Sequence, residues 1–114
     1  MRSDDARLLD ILLACKHARA FVKGLTRETF LVDTKAQAAI CMKLKLIGEA
    51  ARAVSDECKA ANPRVPWRFF VNLRNRIIHE YFRLDPEVIW TIVQEELPPL
   101  MALVAPLVPP EEEV

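Results

Sequence analysis

The segment that decides the fold reads Leu73-Arg74-Asn75-Arg76-Ile77-Ile78-His79-Glu80-Tyr81-Phe82. It combines two arginines with one of the two histidines and with the only tyrosine of the chain. Apolar residues recur in and around it at three- and four-residue intervals, which is the pattern of an amphipathic helix. We therefore predict one packed helix over about 67–80, with Arg74, Asn75 and His79 on its polar flank.

The spacing within this helix separates its two most reactive side chains. At about 100° per residue, Asn75 and His79 lie on nearly the same face, whereas Arg74 and His79 point about 140° apart with roughly 7.5 Å of rise between them. One helix therefore does not direct both side chains at one small target. Two copies related by a two-fold axis could supply one shared cleft, an arrangement that the spacing permits without requiring it.

These residue types suit cleavage of RNA without a metal ion. The 2′-hydroxyl would attack the neighbouring phosphorus, His79 would transfer protons, and Arg74 would stabilise the charge on the phosphate. Asn75 would orient the imidazole or bind a phosphate. Cationic side chains also cap helix C-termini without any further role, and the spacing alone favours that simpler interpretation.

The longer string from Arg74 to Tyr81 resembles the signature of HepT-like proteins, which are small helical ribonucleases of the HEPN superfamily. Four more segments resemble this family in the same order along the chain: Leu46-Ile47-Gly48-Glu49-Ala50-Ala51, Val65-Pro66-Trp67, Asp85 to Trp90, and Gln94-Glu95-Glu96-Leu97-Pro98. The likeness extends from about Leu8 to Leu103, which is nearly the whole chain.

The resemblance implies a metal-independent ribonuclease toxin that needs no cofactor and forms a homodimer, as part of a type VII-like toxin–antitoxin pair. It implies that Arg74 and His79 are the catalytic pair and that Asn75 supports them. It also implies an MntA-like nucleotidyltransferase antitoxin, which transfers AMP to Tyr81 and thereby blocks the nearby site. Arg76 counts as a further supporting residue. Glu49 is either a surface acid or a contact of the motif arginines, and the resemblance favours the contact.

Two other functions remain open. In the first, the chain is a non-catalytic helical adaptor that binds a nucleotidyltransferase or a nucleotide, and its arginines only hold phosphate or face an acidic partner. Loss of His79 would leave such binding unchanged. In the second, the nucleotidyltransferase is the toxin and this chain is the antitoxin. Expression of each gene alone would separate those two roles.

Length and composition indicate one domain spanning residues 1–114. About half of the residues (52%) are hydrophobic, which is enough to form a core, and two glycines are too few for a β-sandwich or a glycine-built phosphate loop. The 16 basic and 16 acidic residues balance, so binding of RNA would need a local basic patch. Five arginines surround the motif and suit either such a patch or an ordinary charged surface: Arg64, Arg68, Arg74, Arg76 and Arg83.

The sulfur and histidine content indicates a cytoplasmic protein without a metal site. Cys15, Cys41 and Cys58 are odd in number and far apart, so we expect buried thiols in a reducing compartment. Neither His17 nor His79 completes a zinc-binding spacing with them, and we predict no role for His17. The N-terminus lacks the pattern of a signal peptide, and we find no apolar run near the ~20 residues that span a membrane.

The fold expected from these patterns is all-α, an up-and-down bundle of four main helices with a short extra C-terminal helix. We predict helices over about 4–23, from a cap at Asp33 or Thr34 to about 61, over 67–80, and over 86–97. A kink or restart at Pro98-Pro99 should follow, then a short helix to Val104 and a flexible tail from about 106. Gly48 predicts close contact with another helix, within one subunit or at a dimer interface.

Overall fold

The computed structural model of the protein describes residues 3–110, which form helices and turns without a β-strand. The all-α class is thereby confirmed. Three long helices dominate: α1 (Asp4–Phe21), α3 (Thr34–Ala53) and α5 (Trp67–Glu80). The shorter elements are α2 (Arg27–Leu31), α4 (Asp56–Ala61), α6 (Pro86–Thr91), a π turn (Ile92–Glu96), α7 (Leu97–Val104), and 3-10 turns at Tyr81–Arg83 and Ala105–Leu107. The bounds predicted for α1 and α5 are correct to within two residues.

The centre of the fold is α3, which lies between α1 and α5 and packs extensively against both. Its residues Ile40, Leu44 and Ile47 are fully buried. The last part of the chain closes the other side of the core, with α7 against α1 and α6 against α2. Phe30 of α2 is buried, with its ring centroid 5.3 Å from that of Trp90. The core therefore fixes the faces that α3 and α5 present to each other.

The helix predicted from Asp33 to residue 61 is divided in two, and the prediction of one long helix is wrong. Val54 is extended (φ −61°, ψ 142°), and the Ser55 hydroxyl then caps α4 by accepting a bond from the Cys58 N–H at 3.1 Å. The Asp4 carboxylate accepts bonds from the Ser55 hydroxyl (2.6 Å) and the Ser55 N–H (2.9 Å). These bonds lower the pKa of Asp4 and attach the break to the start of α1.

The C-terminal helix passes its two prolines by means of the π turn. The Leu97 N–H donates to the Ile92 carbonyl, five residues back, and α7 then begins with its prolines in the first turn. A proline is tolerated there because the first N–H groups of a helix need no partner within it. The chain stays helical from Pro86 to Leu107, so the predicted restart at Pro98-Pro99 does not occur, and the predicted helical stretch to Val104 is confirmed as its continuation.

The tail predicted from about 106 starts later than expected. Ala105–Leu107 form a 3-10 turn, and Leu107 and Val108 pack against the core. The acidic end of the predicted tail, residues 111–114, lies outside the described residues. Division into one domain follows from the length and stays a prediction.

The stretch Pro86–Leu107 is one helical segment of 22 residues whose mean hydropathy reaches 1.3. By length and composition it is able to cross a membrane, so the prediction that no such run exists is wrong on this criterion. About one third (33%) of the apolar window is buried within the protein. A core helix of a water-exposed domain has the same composition, so the criterion assigns no membrane segment by itself.

Candidate active site

The position of Arg74 is set by a close crossing of α3 and α5 at Gly48. A Cβ added to Gly48 would lie 2.3 Å from the Arg74 Cβ and 2.5 Å from the Phe70 carbonyl oxygen. No larger residue fits there without moving α5. The contact lies within one subunit, which resolves the two alternatives for Gly48. It also explains a mid-helix glycine that costs about 1 kcal/mol of helix propensity relative to alanine.

The Arg74 guanidinium is held beside a carboxylate but is not saturated by it. The side chain is 21% exposed, and its Nε lies 4.0 Å from Glu49 Oε1, which is too far for a hydrogen bond. That Nε is buried and has no hydrogen-bond partner among residues 3–110. Glu49 is shared with Lys45, whose Nζ lies 3.8 Å away. The predicted contact between Glu49 and a motif arginine is confirmed, and Arg74 retains donors for an anion.

Asn75 joins Arg74 and not the histidine. The Arg74 Nη1 donates to Asn75 Oδ1 at 3.0 Å. The helical spacing had placed Asn75 with His79, so of its two predicted uses, phosphate binding beside Arg74 fits this geometry better than orientation of the imidazole. Arg74 and Asn75 together form a small polar cluster at the crossing of the helices.

His79 lies in the last turn of α5 and is exposed. Within residues 3–110 it makes no hydrogen bond and no ion pair. Arg76 is also exposed and pairs weakly with Glu80, at 4.0 Å between Nε and Oε2. Arg76 lies two residues from Arg74, about 200° around the helix, and borders a groove with Phe69 and Val88 instead. The structure therefore groups Arg74 with Glu49 and Asn75, and leaves His79 and Arg76 outside that group.

Tyr81 and Phe82 follow directly in the 3-10 turn after α5. Tyr81 is half-buried and packs against the core, whereas Phe82 is 98% exposed. Their rings meet edge to face, with centroids 5.4 Å apart and planes at 77°. Both border a cavity of about 390 Å³ between α3 and α6, whose lining also includes Thr34, Gln37 and Cys41. The sequence did not predict the exposure of Phe82, because the periodicity that separates buried from exposed residues stops where α5 ends.

Unpaired basic side chains lie around the motif. Arg64, Arg68 and Arg83 are exposed, and none of them forms an ion pair in the part of the chain that the structure describes. Of the five arginines in the predicted patch, two have carboxylate neighbours, Arg74 and Arg76. The remaining three carry positive charge that an acidic polymer would neutralise.

The cysteines and the second histidine take no part in this cluster. Burial raises the pKa of the Cys15 thiol to about 12 and that of Cys41 to about 11, so neither is a thiolate nucleophile near neutrality. Cys58 is only partly buried. His17 is exposed on α1 and borders a groove between α1 and α3. Among residues 3–110, no three histidine, cysteine or acidic side chains are grouped so that they could hold a metal ion.

Known proteins resemble this chain over most of its length. The profile of the ribonuclease HepT-like family matches residues 11–107. A probable ribonuclease HepT of Thermococcus cleftensis is 36% identical over 99 residues, which cover 87% of this chain and 90% of that protein. Relatives provisionally named as RNases occur in Methanocaldococcus jannaschii (38% identity; 82% and 77% covered) and in Caldanaerobacter subterraneus (32%; 88% and 89% covered). No solved structure gives a significant match.

Proposed function

Because the chain belongs to the ribonuclease HepT-like family, we propose that it is an endoribonuclease that cleaves RNA without a metal ion and acts as the toxin of a toxin–antitoxin pair. The observation that carries the proposal is that the fold positions the Arg74 side chain without saturating its guanidinium. The crossing at Gly48 fixes its stem, while 21% of the side chain stays exposed. The exposed part of the guanidinium can bind a phosphate oxygen with charge-assisted hydrogen bonds.

The reaction that follows is attack of a 2′-hydroxyl on the adjacent phosphorus. The new bond joins O2′ to phosphorus, the bond from phosphorus to O5′ breaks, and the products are a 2′,3′-cyclic phosphate and a 5′-hydroxyl. One group must take the proton from O2′ and another must protonate O5′. His79 is the histidine of the motif, and its exposed imidazole is free to do either. Arg74 stabilises the charge on the two non-bridging oxygens.

A homodimer would supply both proton-transfer groups. Arg74 and His79 of one α5 point in directions about 140° apart, so one chain does not place both on one phosphate. Two copies related by a two-fold axis would bring two imidazoles and two guanidinium groups to one cleft. In that arrangement one His79 acts as the base and the other as the acid.

Tyr81 is the proposed acceptor of AMP from an MntA-like nucleotidyltransferase. It lies two residues after His79, and its half-buried ring borders the cavity beside Phe82. Attack of its hydroxyl on the α-phosphorus of ATP would form the new O–P bond and release pyrophosphate. The bound AMP would place a phosphate and an adenosine next to the catalytic pair and would hinder access of RNA. Co-expression with the partner should add the mass of one or more AMP units at Tyr81. An unmodified Tyr81 in an inhibited complex would refute this part of the proposal.

The experiment that tests the activity is cleavage of a mixed RNA pool in excess EDTA. Three proteins are compared: wild type, His79→Ala, and His17→Ala as the matched control, since both histidines are exposed on helices. We expect cleavage with cyclic phosphate ends by wild type and by His17→Ala, and none by His79→Ala. Equal cleavage by His79→Ala would refute the assignment. A wild type that binds RNA without cutting it, with a mass free of AMP, would favour the adaptor.

A further inference from the structure

We propose that Phe82 and Arg83 form a single-nucleotide subsite, in which Phe82 stacks on a base of the RNA next to the cleaved bond and Arg83 binds its phosphate. The inference rests on the proposed ribonuclease function and names how that site would hold its substrate. It concerns two residues that the catalytic proposal leaves without a role.

The exposure of Phe82 is the first observation. At 98% it is the most exposed large hydrophobic side chain among the described residues. It contributes almost nothing to the core, so its ring adds little to the stability of the fold. A phenyl ring presented in this way offers a flat apolar face to a planar partner, and stacking of unpaired bases on aromatic side chains is a common way to hold single-stranded RNA.

The second observation is the corner that Tyr81 makes with Phe82. The two ring planes stand at 77°, with centroids 5.4 Å apart, so the rings meet edge to face. Tyr81 itself is packed against the core. The contact leaves Phe82 98% exposed, so a planar partner can reach its ring. A base lying on the free face of Phe82 would meet the border of the cavity that contains Thr34 and Gln37.

The third observation is charge and position. Arg83 is adjacent in the same 3-10 turn, is exposed, and forms no ion pair within residues 3–110. The subsite begins three residues after His79, so it continues the proposed cleavage site along the chain. Phe82 offers one apolar face and Arg83 beside it one unneutralised cation. A nucleotide whose base lies on Phe82 and whose phosphate lies at Arg83 matches this pair.

The test is cleavage of a single-stranded RNA oligonucleotide by Phe82→Ala, Phe82→Leu and Phe82→Trp. Loss of stacking should lower kcat/KM about 5- to 100-fold in the alanine and leucine variants, while tryptophan keeps it within about 3-fold. Phe21→Ala is the control, since Phe21 is also an exposed phenylalanine but lies on α1, outside the turn at Tyr81–Arg83. A leucine variant that cleaves like wild type would overturn the inference, because leucine keeps the apolar surface and loses only the stacking face.

A substrate that lacks one base locates the stacked nucleotide. Oligonucleotides with a single abasic ribose on either side of the cleaved bond should be poor substrates for wild type at one position only. At that position Phe82→Ala should cause no further loss, because the interaction is already absent. If Phe82→Ala lowered cleavage by the same factor on every abasic substrate as on the intact one, the inference would be overturned. Arg83→Gln should reduce the salt dependence of RNA binding by about one phosphate contact.

Two controls separate this inference from the function on which it rests. If wild type cleaves RNA and Phe82→Ala cleaves equally well, only the inference fails. If wild type does not cleave, the proposed function fails, and fluorescence anisotropy of a labelled oligonucleotide then decides whether Phe82→Ala still weakens binding of RNA. Sedimentation of Phe82→Ala must match wild type; a change of oligomeric state with unchanged cleavage would assign Phe82 to a protein interface.

Discussion

Arg74 and His79 belong to one motif, and Phe82 and Arg83 follow it directly, yet Arg74 lies in a different environment from the other three. Arg74 is fixed at the crossing of α3 and α5, beside Gly48 and Glu49. His79, Phe82 and Arg83 are exposed and have almost no polar contacts within residues 3–110. Folding of one chain thus preorganises the half of the site that we propose to bind the phosphate. The other half would gain its contacts from RNA or from a second copy of the chain.

The largest expected effect comes from removing either member of the proposed catalytic pair. His79→Ala and Arg74→Ala should each lower the cleavage rate by about 10²- to 10⁴-fold. Their effects on stability should differ: about 1 kcal/mol for Arg74→Ala, whose stem packs on α3, and under about 0.5 kcal/mol for the exposed His79. Urea unfolding of both variants measures this difference. Equal destabilisation would mean that His79 is held by the fold after all.

Gly48→Ala tests the packed half directly. The new Cβ would lie 2.3 Å from the Arg74 Cβ, so α5 must shift, at a cost of about 1–3 kcal/mol for overpacking. The shift should also lower cleavage about 10-fold or more, because a small misplacement of a phosphate-binding group is costly for catalysis. The melting temperature and the rate of RNA cleavage, measured well below that temperature, check the two effects.

Gly24→Ala is the matched control for this substitution. Gly24 has a positive φ of 84° with open space around it, so alanine should cost about 1 kcal/mol through backbone strain alone. Stability should fall while cleavage stays at the wild-type rate. A loss of cleavage in both variants would show that activity follows stability, and the specific role of Gly48 would be withdrawn.

Glu49→Gln should have a moderate effect. The carboxylate is half-exposed and 4.0 Å from the Arg74 Nε, and such pairs contribute about 0–1 kcal/mol. We expect cleavage to change by less than about 5-fold, with Lys45→Gln as the control that removes only the second partner of Glu49. A loss as large as that of Arg74→Ala would place Glu49 in the chemistry itself.

The smallest effect concerns the thiols. Cys41 borders the cavity under Tyr81 and Phe82, and burial raises its pKa to about 11. At pH 8 the partly buried Cys58 should therefore react first with iodoacetamide, and Cys15 and Cys41 only slowly. Raising the pH towards 11 should speed labelling of Cys41 before that of Cys15, because the thiolate is the reactive form. Peptide mass mapping over time checks this order. Fast labelling of Cys41 at pH 8 would mean that the turn at Tyr81–Arg83 opens readily.

The parts of the fold that the sequence predicts well are those with strong periodicity. In α5 the apolar spacing, the proline before it and the motif agree, and its bounds were predicted. The break at Val54 was missed because it contains neither glycine nor proline. Ser55 followed by two acids is a capping signal, but its weight depends on Asp4, which is 51 residues away and bonds to Ser55 only in the folded chain.

The candidate site follows the same division. Its residue types and the contact of Glu49 with Arg74 were predicted, since two helices that cross at a glycine bring neighbouring residues together. The hydrogen-bond partner of Asn75 was not predicted, because the choice between Arg74 and His79 depends on side-chain rotamers and not on helical spacing. Helical angles alone would have separated Arg76 from Arg74. The proposed approach of Arg74 of one chain to His79 of another depends on how two copies would pack, which the pattern of one sequence does not encode.

The π turn at Ile92–Glu96 fixes the number of residues that the last helical segment must contain. A wide turn accommodates one residue more than α-helical geometry would, and the apolar residues of α7 face the core only with that extra residue in place. Deleting one residue between Ile92 and Glu96 would rotate all that follows by about 100° and turn Leu97, Leu100 and Val104 away from α1. Substitutions in this segment are therefore easier to accommodate than insertions or deletions. In-frame insertions and deletions should be the changes that evolution tolerates least there.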